Sequence, residues 1–387
     1  MVAPPLSVES TGLKAPATIV CGGGALREQL GGILRERNLT KPLIVTDKVL
    51  AHAIGEAKAA LGDDVEIFDE VATEPSLAHV DKIKEAMRRC EPDVLVALGG
   101  GSPIDAAKAA NVLFERPLRS DEPVVARLPL VAIPTTSGTG SEVTAALVVA
   151  DGSEKVMLKA DPIIPSVALL DYTLTLTMPR SVSAMTGIDS LCHAMEAHVS
   201  RRATAETSKF ALAALERIGR SLVRACAGGD SDEAREAREE MCHAAFEAGV
   251  AFSNASVTLI HGMSRPLGRY HVPHGLANAQ LAPCVTRFSL PGATDRYAQV
   301  ARALGFAGAD SADADAAAAL PDALEHLVHV ELNLPRLAAS VPPLDEFLAA
   351  VPTMVSEALA SGSPDNNPVL ATADEAAALY RKVVGAE

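Results

Sequence analysis

Short, continuous apolar runs alternate with helical segments in the first half of the chain. Strands without polar interruption are typical of parallel sheets whose two faces are covered by helices. The alternation of strand and helix, with short loops between them, therefore predicts a doubly wound α/β domain. The predicted strands are residues 17–21, 43–47, 65–68, 93–98, 130–134, 145–150 and 167–170, and the predicted helices include residues 49–61 and 77–90.

The pattern changes after residue 180. Alanine-rich or amphipathic helical segments dominate the rest of the chain, for example residues 203–224, 232–253 and 321–332, and strand alternation is no longer evident. Glycine-, serine- and proline-rich stretches at residues 228–230, 289–292 and 361–368 are predicted as loops. The sequence thus predicts an α/β N-terminal domain with a parallel sheet over residues 1–179 and an all-α C-terminal domain over residues 180–387.

Composition and charge narrow the possible partners. Hydrophobic residues make up 48% and charged residues 21% of the chain, which excludes global disorder. The formal net charge is −15, so we expect no nucleic-acid partner. No run of about 20 apolar residues could span a bilayer, and the N-terminus lacks the pattern of a signal peptide. We therefore expect no membrane partner. The 6 cysteines are scattered without a Cys-x-x-Cys pair, which indicates reduced thiols of a cytoplasmic protein.

A glycine-rich turn, residues 99–101, joins the strand at 93–98 to the next helix. Glycines let the backbone approach a ligand closely, and Ser102 is the expected helix N-cap, with Pro103 at the first helical position. Asp105 completes a Ser-x-x-Asp capping pattern. The free N–H groups and the helix dipole would face a pyrophosphate. A tight turn that binds nothing is the alternative.

A loop rich in hydroxyl groups and glycine, residues 135–142, follows the strand at 130–134. Its small donors, which include Thr135 and Thr136, suit a polar cofactor lying across the loop. A plain surface loop is the alternative.

Asp47 ends its strand at the edge where sheets of this kind bind ligands. The carboxylate could accept hydrogen bonds from adenosine ribose hydroxyls, and it would repel a 2′-phosphate, which favours NAD(H) over NADP(H). An N-cap for the following helix is the alternative, and the sequence leaves both roles open.

Two stretches carry candidate metal ligands. Asp189 and His193 stand four residues apart in a helical segment, so their side chains share one helix face. Such a pair is more often solvated or hydrogen-bonded than bound to metal. His261 and His274, which adjoin glycines and prolines, add two imidazoles. Three neutral imidazoles and one carboxylate would hold one Fe2+, Zn2+ or Mn2+ ion and could leave a position open for substrate.

With these motifs in place, the sequence resembles the iron-containing (group III) alcohol dehydrogenases over almost its whole length. The segments that carry the resemblance are residues 99–108, 134–142, 187–196, 261–268, 273–275 and 367–368. In that family the N-terminal domain binds NAD(P) and the helical domain carries the metal. The resemblance implies metal ligands at Asp189, His193, His261 and His274, pyrophosphate contacts from Gly99, Gly100, Gly101 and Ser102, and nicotinamide-side contacts from Thr139, Ser141 and Lys155.

Two departures from the family pattern concern the substrate. Many members carry a second histidine four residues after the third ligand, where this chain has Arg265. The segment between Gly268 and Pro273 is also one residue shorter, and it places His271 where it could relay a proton. Arg265 is either a structural residue, in a salt bridge or a helix cap, or a guanidinium that grips an anionic group on the substrate.

The expected function is that of a metal-dependent alcohol dehydrogenase or aldehyde reductase. It would transfer hydride reversibly between the nicotinamide cofactor and a small aldehyde; an anionic aldehyde such as a semialdehyde or phosphonoacetaldehyde is the hypothesis drawn from Arg265. A sugar-phosphate cyclase related to dehydroquinate synthase and a non-catalytic metal-binding scaffold are the alternatives. Fe2+ is the expected metal, and a homodimer or larger homo-oligomer is the expected assembly.

Overall fold

The computed structural model describes residues 2–71, 75–152 and 154–386. The chain divides into two compact units, of which the first comprises Val8–Thr177 and the residues before Pro5. The second comprises Pro5–Ser7 and Met178–Glu387. The short N-terminal segment is held in the second unit by the Leu6 N–H, which donates to Glu247 Oε1 at 2.9 Å.

A parallel sheet forms the framework of the first unit. The strands of this unit are β1 (Thr18–Cys21), β2 (Pro42–Val45), β3 (Glu66–Phe68), β4 (Val94–Gly99), β5 (Leu130–Pro134), β6 (Ala146–Asp151), β7 (Glu154–Lys159) and β8 (Val167–Leu170). Six of them form the sheet in the order β1-β8-β5-β4-β2-β3, with parallel pairing throughout. β6 and β7 form a separate antiparallel hairpin. Because Gly99 pairs with Pro134, the carboxyl ends of β4 and β5 lie side by side.

Helices cover both faces of the sheet. They are α1 (Ala25–Glu36), α2 (Ala51–Leu61), α3 (Leu77–Cys90) and α4 (Gly101–Val112). Alternate residues of β4 point to opposite faces: Val96 packs in the core that α1 and α2 share, and Ala97 packs in the core that α3 and α4 share. Burial on both faces explains why these strands are apolar without interruption.

The second unit is helical, and no strand occurs in its described residues. Its helices are α5 (Arg180–Val199), α6 (Ala205–Ala227), α7 (Asp232–Ala255), α8 (Leu259–Ser264), α9 (His274–Ser289), α10 (Thr294–Ala303), α11 (Asp313–His326), α12 (Leu344–Ala360) and α13 (Ala373–Val383). The C-terminal part of α5 is buried at every position from Gly187 to Val199. Polar side chains on this stretch therefore need partners within the unit.

The predicted fold class is confirmed, and several element boundaries differ. The predicted strand 43–47 ends at Val45, because Asp47 leaves the strand to cap a 3₁₀ turn, Lys48–Leu50. The predicted helix 321–332 begins earlier, at Asp313, where two aspartates in the first turn suit the helix dipole. β7 was not predicted.

The described helices give no support for a membrane span, since none of them combines the length and apolar character that crossing a bilayer requires. The six cysteines are free thiols.

Candidate metal centre and cofactor-binding turn

Asp189 and His193 lie on the buried stretch of α5. Their i, i+4 spacing places the two side chains on one helix face, as expected, with His193 Nε2 3.9 Å from Asp189 Oδ1. Both side chains are buried, so the carboxylate and the imidazole are removed from bulk water. The His193 ring stacks on Phe252 with 4.0 Å between ring centroids, which restricts its rotation.

His261 and His274 approach the same carboxylate oxygen from two other helices. Nε2 of His261, on α8, lies 3.4 Å from Asp189 Oδ1, and Nε2 of His274, the first residue of α9, lies 3.6 Å from it. The structure thus brings together the four residues that the sequence analysis named as candidate ligands.

The donor set fits a divalent cation. Ligands about 2.0–2.2 Å from a tetrahedral ion lie roughly 3.4 Å from one another, and the three imidazole nitrogens lie 3.4–3.9 Å from the Asp189 oxygen. Among the described residues, Asp189, His193 and His261 also form a group whose ligand atoms all lie within 4.8 Å of one another. Three neutral imidazoles and one carboxylate suit Fe2+, Zn2+ or Mn2+.

Electrostatics within the site favour a charged carboxylate. Burial acts to raise the pKa of Asp189, but the imidazoles of His193 and His274 outweigh it and hold the pKa of this carboxyl below its usual range. For His261, burial acts to lower the pKa, and the Glu196 and Asp189 carboxylates outweigh it and raise the pKa to about 9. A cation that binds to Nε2 must therefore displace a proton from this ring.

Asn278 was missed by the sequence analysis. Its Nδ2 lies 2.7 Å from Asp189 Oδ1, 3.1 Å from His261 Nε2 and 3.2 Å from His274 Nε2. Its Oδ1 is buried and has no hydrogen-bond partner in the described structure. The spacing from His274 is i, i+4 on α9, the same signal that identified Asp189 and His193.

Arg265 follows α8 and begins a 3₁₀ helix that runs to Tyr270. The side chain is half-buried, and burial lowers the pKa of the guanidinium. Within the described residues it makes no hydrogen bond and no ion pair. The salt bridge and the helix cap considered for a structural role are therefore not found there.

His271 lies at the end of the same 3₁₀ helix with φ of 56°, a left-handed conformation that is unusual for a residue other than glycine. Its backbone N–H donates to Gly268 O at 2.9 Å, and its side chain is exposed. The structure places it on the surface of the second unit, with solvent access to its imidazole.

The glycine-rich turn after β4 differs from the prediction in its capping. Gly100 is the N-cap of α4, because it already has the extended conformation that a cap requires, and Ser102 lies inside the first turn. The expected Ser-x-x-Asp box is therefore wrong. Asp105 instead accepts hydrogen bonds from Ser141 Oγ at 2.5 Å and from the Val148 N–H at 2.9 Å.

The hydroxyl-rich loop packs against this turn. The Thr135 N–H donates to Gly99 O at 3.0 Å. A Cβ atom on Gly100 would lie 3.3 Å from Thr136, and one on Gly101 would lie 3.0 Å from Thr139, so side chains at these glycines would crowd the loop. The Oγ1 atom of Thr136 is buried and has no hydrogen-bond partner in the described structure. Bare backbone beside an unsatisfied hydroxyl fits the binding of a polar ligand such as a pyrophosphate.

A buried lysine that the sequence analysis did not single out holds this loop. Lys108 Nζ donates to Ser141 Oγ at 3.2 Å, to Thr144 O at 3.0 Å and to Ala146 O at 2.9 Å. Burial lowers the pKa of Lys108 to about 8, although Asp105 and Glu142 oppose the shift. Lys108 follows Ile104 by four residues, but this spacing does not identify it as a buried residue in the sequence. A lysine on a helix is ordinarily solvated.

The last two predicted cofactor residues lie elsewhere in the first unit. Asp47 is the cap of the turn after β2, and its Oδ1 accepts from the Val49 N–H at 3.1 Å. The alternative capping role is therefore present, and a role in ribose binding stays a prediction. Lys155 lies on β7, opposite Ala150 of β6, and its side chain is exposed.

Two family models cover most of the chain. The model described as iron-containing alcohol dehydrogenase matches residues 16–172, and the C-terminal model of the Fe-containing alcohol dehydrogenase family matches residues 183–384.

Curated relatives point the same way. The chain is 38% identical over 341 residues to the 1-propanol dehydrogenase PduQ of Salmonella typhimurium, a match that covers 86% of this chain and 90% of the relative. It is 36% identical over 329 residues to an NADPH-dependent butanol dehydrogenase of Clostridium saccharobutylicum, with coverage of 82% and 77%.

Solved structures share the fold. A 1,3-propanediol oxidoreductase superposes with a TM-score of 0.89 at 31% identity, over 96% of this chain and 99% of that chain. A sulfoacetaldehyde reductase from Bifidobacterium kashiwanohense, solved with NAD+, superposes with a TM-score of 0.83 at 27% identity, over 97% and 99% of the two chains. These comparisons support a dehydrogenase and give no support to a sugar-phosphate cyclase.

Proposed function

The chain belongs to the family of iron-containing alcohol dehydrogenases, and we propose that it interconverts a short aldehyde and its alcohol by reversible hydride transfer with NAD(H), using one Fe2+ ion. The observation that carries this proposal is the convergence of three imidazole nitrogens on one buried carboxylate oxygen, at 3.4–3.9 Å. A buried cluster of this composition is the donor set that a divalent transition metal requires.

The chain's own residues have distinct roles in this proposal. Asp189, His193, His261 and His274 hold the ion. Gly99, Gly100, Gly101 and Ser102 bind the pyrophosphate, and Thr139, Ser141 and Lys155 lie on the nicotinamide side. When bound, the ion supplies Lewis-acid polarisation of the carbonyl, and the cofactor supplies the hydride. We accordingly assign cofactor binding to residues 1–179 and metal and substrate binding to residues 180–387.

His271 is the residue that we assign to proton exchange. Hydride addition to an aldehyde leaves an oxygen that must gain a proton, and an imidazole can both accept and donate one. The exposed side chain of His271 has access to solvent, so it can pass a proton between water and the substrate oxygen.

Asp47 supports NAD(H) as the cofactor. One carboxylate oxygen is used in capping the turn after β2, at 3.1 Å from the Val49 nitrogen. A negative charge at this strand end would repel the 2′-phosphate of NADP(H). The relatives differ in their cofactor. The butanol dehydrogenase is named as NADPH-dependent, and the sulfoacetaldehyde reductase was solved with NAD+.

Arg265 suggests the class of substrate. Its guanidinium is half-buried, follows His261 by one helical turn and forms no ion pair among the described residues, although the charge of Glu196 acts to raise its pKa. A half-buried charge that lacks an ion pair is costly, and an anionic group of a ligand would relieve that cost. We therefore propose a short aldehyde with a carboxylate, phosphonate or other anionic group at its far end. The sulfoacetaldehyde named for one structural relative is such a compound.

The proposal also includes a cellular compartment and an oligomeric state. Six free cysteines are compatible with a reducing compartment such as the cytoplasm. A homodimer or larger homo-oligomer is the assembly expected from the family resemblance.

A steady-state screen tests the activity. The purified chain, reconstituted with Fe2+ or Zn2+, should oxidise NADH in an amount stoichiometric with a small aldehyde and should reduce NAD+ with the matching alcohol. Failure of every short aldehyde, anionic or neutral, with both NADH and NADPH would overturn the proposed reaction.

The substrate class is tested by replacing Arg265 with Met, which keeps the length of the apolar stem. Loss of a charge-assisted contact should cost about 1.5–3 kcal/mol, or roughly tenfold to a hundredfold in kcat/KM, for the anionic aldehyde. A neutral aldehyde of equal length should be spared. If both substrates lose equally, or if the unmodified enzyme prefers the neutral one, Arg265 has a structural role.

A further inference from the structure

Glu196 is a buried carboxylate two helical turns after Asp189 on α5, and the seven-residue spacing places it on the same face. Its side chain is 2% exposed. It is absent from the proposed ligand set, yet a buried carboxylate must be fully hydrogen-bonded to be tolerated.

All the hydrogen bonds recorded for this carboxylate go to the segment that carries His261. Oε1 accepts from Thr258 Oγ1 at 2.6 Å, from the Ile260 N–H at 2.8 Å and from the His261 N–H at 3.4 Å. The two backbone donors belong to the first turn of α8, where N–H groups have no partner within the helix. Glu196, a residue of α5, therefore supplies the acceptor that these N–H groups lack within α8, and it ties the start of α8 to α5.

The second carboxylate oxygen contacts the imidazole itself. Glu196 Oε2 is hydrogen-bonded to His261 Nδ1. A carboxylate can only accept, so the proton of this bond belongs to Nδ1. In the neutral ring, Nε2 then carries the lone pair, and Nε2 is the atom that lies 3.4 Å from Asp189 Oδ1.

We propose that Glu196 is a positioning residue of the metal centre, which fixes the Nδ1–H tautomer of His261 and aims Nε2 at the ion. The inference rests on the metal-dependent function proposed above. A carboxylate that receives the distal N–H of a ligand histidine both orients the ring and makes its free nitrogen a better donor. Glu196 would thereby act on metal affinity without touching the metal.

The test is the affinity of the full-length chain for Zn2+, measured by competition with a chromogenic chelator at fixed pH. Glu196→Gln keeps the size of the side chain and an oxygen that can cap α8, but it removes the charge that holds the Nδ1 proton. We expect Zn2+ binding to weaken roughly tenfold to a hundredfold. Thr258→Val, which removes one hydrogen bond to Glu196, should weaken it less.

Glu247→Gln is the matched control, because Glu247 is a buried carboxylate of the same unit that pairs with Arg217 at 3.0 Å. It should leave Zn2+ affinity unchanged even where it lowers the melting temperature. Equal affinity for the Glu196→Gln and unsubstituted chains, or equal losses in the Glu196 and Glu247 variants, would overturn the inference. Failure of the unsubstituted chain to bind Zn2+ would instead overturn the proposed metal centre.

A measurement on the unsubstituted chain keeps the inference testable even where the Gln variant does not fold. With ¹⁵N-labelled histidine and Zn2+ bound, long-range ¹H–¹⁵N spectra should show His261 protonated at Nδ1, assigned by comparison with His261→Gln. A proton on Nε2 would contradict the role given to Glu196.

Discussion

His274 is the most exposed of the four proposed ligands, with a side chain that is 45% exposed, whereas Asp189 is 6% exposed. We expect His274→Ala to fold, to lose bound metal and to lose alcohol-dependent reduction of NAD+. NADH binding should be largely kept, because the proposed cofactor contacts lie in the first unit. Metal content by mass spectrometry and titration of NADH fluorescence measure the two effects. Full metal content in this variant would contradict the assignment.

Asp47 allows a test of cofactor choice at a single residue. Removing the carboxylate removes the expected repulsion of a 2′-phosphate, so Asp47→Gly should shift the ratio of kcat/KM values toward NADPH. The substitution also removes the side-chain cap of the turn after β2, at a cost of only about 0.3 kcal/mol because glycine is itself tolerated at a cap, and melting curves account for that loss. Equal or better efficiency of the unsubstituted enzyme with NADPH would contradict the prediction.

Helix α9 contacts α5 through a residue with no side chain. A Cβ atom on Gly275 would lie 2.2 Å from the backbone oxygen of Met185, so Gly275→Ala must separate the two helices that carry His274 and Asp189. Overpacking of this kind costs about 1–3 kcal/mol, and metal affinity should fall with it. Urea unfolding measures the first effect and chelator competition the second.

Gly308 provides the control for that substitution, since a Cβ there would lie 3.4 Å from its nearest neighbour, Ser311 Oγ. Gly308→Ala should change the free energy of unfolding by less than about 0.5 kcal/mol. Equal effects of the two substitutions would show that the contact between α9 and α5 does not depend on Gly275.

The loop after β5 contains a titratable group that predicts a pH dependence. Burial raises the pKa of Glu142 to about 7, although its own N–H and Lys108 act to lower it. Between the ordinary value of about 4.3 and this raised value, the folded chain holds a proton that the unfolded chain releases. The free energy of unfolding therefore falls as pH rises through this window, and the penalty is complete above pH 7.

Glu142→Gln removes that penalty. It should stabilise the chain by about 1–3 kcal/mol at pH 8 and change little at pH 4, where the carboxyl is mostly protonated in both states. Thermal unfolding at the two pH values measures the difference. A gain of equal size at both would mean that ionisation of Glu142 is not its cause.

The strands and helices were predictable where the periodicity of apolar residues in the sequence matches the residues that are buried in the structure. β4 and β5 are apolar at every position because both faces of the sheet are covered, and Asp189 and His193 reveal themselves by helical spacing. The start of α4 was misplaced, since Gly100 rather than Ser102 supplies the cap. Capping depends on the backbone conformation of the cap residue. Glycine can adopt many conformations, so its presence in the sequence does not show which one it has.

At the scale of the whole chain, the change in sequence pattern near residue 180 predicts the two-part architecture. Contacts between residues that are distant in the sequence cannot be predicted from such a pattern. Asn278 meets Asp189 across a separation of 89 residues, and Glu196 meets His261 across 65. Lys108 donates to a loop 33–38 residues away. Each is a polar residue on a helix, and a solvated position is the ordinary expectation for such residues.

The metal centre predicts how the two units respond to different ligands. Its proposed ligands come from α5, α8 and α9, so a bound ion links three helices of the second unit only. Binding stabilises the folded state by about 4 kcal/mol when the free ion is a thousandfold above its Kd. Hydrogen exchange measured by mass spectrometry resolves this effect along the chain, because exchange reports local opening.

With metal bound, chelation should speed exchange in α5, α8 and α9 and leave β4 and α4 unchanged. NADH should slow exchange in the turn between β4 and α4. Asp189→Asn is the control, since its exchange should no longer respond to the chelator while its response to NADH persists. A chelator effect of equal size in both units, or one that survives in Asp189→Asn, would place the metal somewhere other than the site on α5.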